Sequence, residues 1–278
     1  MFTKRLLDTI LQGPPRSTAP LEHDDWPSTM LEGPHGPYRV HVRQHDPSAP
    51  LLLAVHGWTS GTAHARNRTE HLFHEGFNVV LLEMLSHGTS SYAGHFTAQC
   101  VVDCLDHLID HLDSGHLGFA SNEQLILHGH SLGAYVVIRS ASGRHRDRIR
   151  ALLLESPMTC YSPLLLERLR LPSFLKKYVV RKLMTRWNAM HPGLVITSLA
   201  DVDVPRWGCP HVPTFVMQAD PDARLGTVHL DTLIDAVPES LLSVWRSSTL
   251  RHSGTSRHEE RDLAQVAWLR EMEFIPRC

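Results

Sequence analysis

Ser131 stands in the string Gly129-His130-Ser131-Leu132-Gly133, a G-x-S-x-G pattern. A strand-like run, LILH, leads into it and a helix-like run, LGAYVVIRS, leaves it. That strand–turn–helix setting lifts a serine hydroxyl above a sheet, where it can attack a carbonyl carbon. Glycines on both sides let the neighbouring backbone pass without a Cβ clash. The helix start behind the serine offers free N–H groups and a favourable dipole to a developing oxyanion. A second segment, His56-Gly57-Trp58, leaves the apolar run Leu51–Val55. Ser60 and Gly61 keep that loop tight and polar, so it can aim a backbone N–H at the same centre.

These residues need elements to hold them. A run that alternates in period two at 38–44 reads as a half-exposed strand, and apolar strand-like runs fall at 51–55, 77–83, 125–127, 151–155, 214–219 and 241–246, with helical patterns between them at 63–75, 97–112, 132–142 and 264–274. Strands that are apolar throughout and alternate with helices predict an α/β fold. Its centre is a mostly parallel sheet of about seven to eight strands covered by helices on both faces. Residues 1–37 read as a loop-rich lead-in with a short amphipathic helix ended by Gly13-Pro14-Pro15, and 38–278 as the main domain. A helical block at about 160–200, too long for a simple crossover, reads as a cap-like insertion over one end of the sheet. Its Leu164, Leu165, Leu169, Phe174, Trp187 and Met190 would favour an apolar acyl group if they roof the site.

The 278 residues carry 27 Lys and Arg against 29 Asp and Glu, a net charge of −2, which argues against a nucleic-acid binder. No apolar run approaches the roughly 20 residues of a membrane span, and no apolar signal segment follows Lys4 and Arg5. Five cysteines at irregular spacing, with no C-x-x-C, read as reduced thiols, and Cys100 and Cys104 as a buried pair on one helix face. The expectation is a cytoplasmic protein without stable membrane insertion. There are 21 histidines, an unusual number, so histidine identity alone singles out no base.

With His56-Gly57-Trp58, Gly129-His130-Ser131-Leu132-Gly133 and the element order from about 38 to 275, the chain resembles the α/β-hydrolase fold superfamily. The resemblance implies Ser131 as nucleophile and the backbone N–H groups of Leu132 and Trp58 as oxyanion hole. It also implies a triad in the chain order serine, acid, histidine. The acid should follow the strand TFVMQA, where Asp220 and Asp222 both stand. Relatives often read G-x-x-D there; with Ala219 in the glycine position, the third residue on is Asp222, the preferred acid. The base should lie in RHSGTSRHEE, where His252 and His258 compete. Relatives place it just before the closing helix, which favours His258. The stretch Glu83-Met84-Leu85-Ser86-His87-Gly88-Thr89-Ser90 departs from D-x-x-G-H-G-x-S at two positions and is assigned a loop-shaping role.

The reading is a serine hydrolase that cleaves a small-molecule carboxylic ester through a Ser-His-Asp triad and an acyl-enzyme. It needs no cofactor, and no metal-ligand spacing is evident. Thioester, amide or carbon–carbon cleavage and acyl transfer remain open on the same triad, as do a non-catalytic binding protein and the oligomeric state.

Overall fold

The computed structural model describes residues 2–14, 24–90, 95–115, 117–119, 125–254 and 257–275. Six strands, most of them rich in Val, Leu, Ile, Phe and Ala, form its parallel part. They are β3 (Leu51–Val55), β4 (Asn78–Leu82), β5 (Leu125–His130), β6 (Ile149–Glu155), β7 (Thr214–Ala219) and β8 (Leu242–Ser247). All six pair in parallel. β3, β4, β5 and β7 are buried at every residue, the mark of a sheet covered on both faces. β2 (Gly36–Arg43) joins β4 antiparallel, and β1 (Ser28–Gly33) joins β2 antiparallel. The order across the sheet is β1-β2-β4-β3-β5-β6-β7-β8. Helices α2 (Thr62–His74), α3 (Ala98–Asp113), α4 (Leu132–Ala141), α7 (Val228–Ala236) and α8 (Glu259–Glu271) cover the two faces. Two large apolar clusters result, one on each face of the sheet.

β1 falls inside the stretch read from sequence as a loop. Its sequence, STMLEG, is mostly exposed, so no apolar pattern marks it. What makes it a strand is its six-residue ladder to β2. Residues 15–23 of the same stretch and Cys278 lie outside the described residues.

Between β6 and β7 the chain forms α5 (Ser162–Arg168) and α6 (Ser173–Met190). Leu165, Leu169, Val179, Leu183 and Trp187 from this block pack with Leu7 and Leu11, from and just after α1 (Phe2–Ile10), in a third, smaller cluster. The amphipathic N-terminal helix therefore buries its apolar side against α6. Among the described residues no helix is long and apolar enough to cross a membrane.

Candidate active site

Ser131 sits between the end of β5 and the start of α4 with φ of 52° and ψ of −115°, a strained backbone for a residue with a side chain. The turn is held on both sides. Its N–H donates to the Glu155 carbonyl at 3.0 Å, and its carbonyl accepts from Met158 N–H at 3.1 Å and Ala134 N–H at 3.0 Å. A Cβ at Gly133 would run into the Val55 carbonyl, so α4 approaches β3 this closely only with glycine there. Leu132 is the first helical residue, and its N–H has no acceptor a turn earlier in the helix.

The Ser131 hydroxyl donates to His252 Nε2 at 3.0 Å, and His252 Nδ1–H donates to Asp222 Oδ2 at 2.8 Å. Asp222 comes from the turn after β7, where the backbone N–H groups of Arg224 and Leu225 each donate to its Oδ1 at 2.9 Å. Burial alone would raise its pKa. The His252 N–H and those two backbone donors outweigh burial and hold the carboxyl below its ordinary value. In this arrangement the His252 proton sits on Nδ1, toward Asp222, and Nε2 faces the Ser131 hydroxyl.

Asp220, the alternative acid, is exposed, and its carboxylate lies 3.6 Å from Arg246. The preferred base, His258, is not brought to Ser131. It caps α8, where its Nδ1 accepts from Arg261 N–H at 3.2 Å and its Nε2–H donates to Thr249 Oγ1 at 3.1 Å. Both ring nitrogens are engaged in holding a helix start, and the reserve candidate His252 occupies the place expected of His258.

Two features invisible in the motifs place His252. His130 Nε2–H donates to the His252 carbonyl at 2.7 Å. Its buried ring needs Gly57 opposite, since a Cβ there would lie 2.8 Å from His130 Nδ1. The second is a buried ion cluster. Arg68 of α2 donates to Glu155 at 2.8 Å and to the Gly254 carbonyl at 3.3 Å, and Arg261 of α8 donates to Glu155 at 3.3 Å. Burial would raise the Glu155 pKa, but the two guanidinium groups hold it far below the carboxylate range. Glu155→Gln leaves the buried Arg68 without its counter-charge and Arg261 with Asp262 alone, and is expected to cost about 3–5 kcal/mol of stability. A urea titration read against the wild type checks this, and a loss below about 1 kcal/mol would contradict it.

Ser131 opens on a cavity of about 150 Å³ lined by Trp58, Ser60, His64, Arg68, Arg224 and His252 among others. None of the lining residues belongs to α5 or α6. Their apolar residues pack the insertion together or face outward, as Phe174 does at 72% exposure. Trp58 contacts His87 and Phe96 through its ring and reaches the cavity from the loop after β3. In the departed stretch, Glu83 accepts from Thr89 N–H and Ser90 N–H, each at 2.8 Å, and so pins that loop.

A parallel sheet covered on both faces, with a strained serine between its central strand and the following helix, is the architecture of the α/β hydrolases. Residues 46–230 match the family described as serine aminopeptidase, S33, and the chain belongs to it. Its sequence is 31% identical over 121 residues to lipase LipV of Mycobacterium tuberculosis; the aligned part is 42% of this chain and 41% of that protein. The fold is similar to that of the esterase Pf2001 of Pyrococcus furiosus, with a TM-score of 0.65 and 16% identity over 94% of this chain and 97% of the other. It is similar also to a thermophilic esterase of Thermogutta terrifontis, with a TM-score of 0.59 and 18% identity over 88% and 98%.

Proposed function

We propose that this chain is a serine esterase in which Ser131 is the nucleophile, His252 the base and Asp222 the orienting acid. The hydrogen-bonded chain from Ser131 through His252 to Asp222 carries this reading. His252 Nε2 takes the hydroxyl proton as Ser131 Oγ attacks the ester carbonyl, and Asp222 stabilises the imidazolium that forms. The N–H groups of Leu132 and Trp58 receive the oxyanion; a lost donor of this kind costs roughly 3–4 kcal/mol. His252 then returns the proton to the leaving alkoxide, which departs as the alcohol and leaves an acyl-enzyme. Water, deprotonated by the same imidazole, releases the acid and restores Ser131.

The small, polar-lined cavity favours a short acyl group over a long lipid chain, since drug-sized ligands occupy roughly 300–1,000 Å³. Esterase and lipase relatives support ester over amide cleavage. The test is labelling with a fluorophosphonate, followed by nitrophenyl acetate, butyrate, octanoate and palmitate and an aminoacyl anilide. The expected result is one label per chain, absent in Ser131→Ala, and a rate that falls from butyrate to palmitate. A folded wild type that takes no label would overturn the reading, and faster turnover of the anilide than of the esters would move it to a peptidase.

A further inference from the structure

A second cavity, of about 260 Å³, is lined by His35, Leu85, His95, Phe96, Cys100, Met190 and His191. Three of these residues offer metal-ligating atoms that all lie within 4.8 Å of one another: His35, Cys100 and His191. They come from the turn between β1 and β2, the first turn of α3 and the end of α6. Such separation in the chain is why no ligand spacing marks them in the sequence. Cys100 and His191 are buried, and the Cys100 sulfur lies 3.9 Å from His191 Nε2.

The surroundings are those that hold ligands in place. Asp103, one helical turn beyond Cys100, lies 2.6 Å from His35 Nε2 and 3.9 Å from His191 Nδ1. A carboxylate this close to an imidazole holds the ring through one nitrogen while the other binds a metal. The Thr97 hydroxyl lies 2.8 Å from His191 Nε2 and 3.2 Å from the Cys100 sulfur, contacts that a bound cation would replace. Two imidazoles and one thiolate form a donor set for a borderline-soft divalent cation, and the cavity leaves room for water as a fourth ligand.

We propose that His35, Cys100 and His191 bind one zinc-class divalent cation, with Asp103 as the outer partner of His35. Binding replaces the Cys100 S–H bond by a metal–sulfur bond and releases the proton to solvent. The ion would tie the end of the α5–α6 insertion to α3 and to the hairpin edge of the sheet, outside the Ser131 cavity.

Chelator-stripped whole protein titrated with Co(II) tests the proposal. The expected result is one equivalent bound, with a near-ultraviolet thiolate-to-cobalt band that Zn(II) abolishes by displacement, and a Tm raised by Zn(II). The band should be absent in Cys100→Ser and His191→Asn and present in Cys104→Ser, the buried thiol one turn away. Asp103→Asn should weaken binding by about 10–100-fold. Ser131→Ala should keep the band, so the result stands apart from the esterase reading. No band in the folded wild type overturns the proposal without any variant, and so does a band that survives Cys100→Ser.

Discussion

His252→Ala is expected to lower kcat on nitrophenyl butyrate by about 10⁴–10⁶-fold, with little change in fold. The imidazole lies 3.0 Å from the Ser131 hydroxyl, and no other histidine nitrogen is hydrogen-bonded to it among the described residues. His258→Ala is expected to do something different. It removes the side chain that accepts from Arg261 N–H at the start of α8, a loss of about 0.5–2 kcal/mol in stability, and leaves kcat within a few-fold of the wild type. Because serine and base act as one unit, the double variant Ser131→Ala/His252→Ala should be no slower than either single one. Steady-state kinetics on the wild type and these four variants decides the matter. A His252→Ala enzyme that keeps a tenth of the wild-type kcat, or a His258→Ala enzyme that loses most of it, would remove His252 from the mechanism.

The difference between these two histidines shows where local sequence stops being informative. The turn at Ser131 was legible because its steric demands fall on adjacent residues: without glycine at 133 the following helix meets the Val55 carbonyl. The central strands were legible because burial on both faces leaves runs such as LLLAV with no polar residue. The place of the proposed base depends instead on contacts across the chain. His130 holds the His252 carbonyl from 122 residues away, and Arg68 holds Gly254 from 186 residues away. The local signal that was present concerned a helix start. Glu259, Glu260 and Asp262 fill the first turn of α8 and mark His258 as its cap. Asp222 was easier to place, because acid and strand end are three residues apart in one turn. β1 left no pattern, since its stability resides in the ladder to β2.

Acidification should unfold this protein at a higher pH than carboxylate chemistry would. Several of its 21 histidines are structural and neutral. Burial lowers the pKa of His71 and His128 to about 3, and that of His229 to about 4. His128 lies in the middle of the sheet, and neither ring nitrogen has a hydrogen-bond partner among the described residues. His229 uses Nδ1 to accept from the N–H groups of Thr159 and Cys160 at 3.0 and 3.1 Å, contacts its neutral form makes. In the unfolded chain each would titrate near 6.5. Below that pH the unfolded state takes up protons that the folded state refuses until about pH 3 or 4, so stability falls as pH falls. At pH 5 each group costs about 2 kcal/mol relative to pH 7, and the three together about 6 kcal/mol, comparable to the whole stability of many domains. Glu155 acts in a separate window. Its depressed pKa contributes stability above about pH 4.3 that is lost only at lower pH. Urea midpoints between pH 7.5 and 5 should therefore drop steeply, with a slope of at least about three protons, since burial holds His56 and His130 well below their ordinary value too, and His128→Leu should reduce that slope by about one. A midpoint that stays level down to pH 5 would mean that these imidazoles are protonated in the fold. The high histidine content would then need an explanation other than the packing of neutral rings against the sheet.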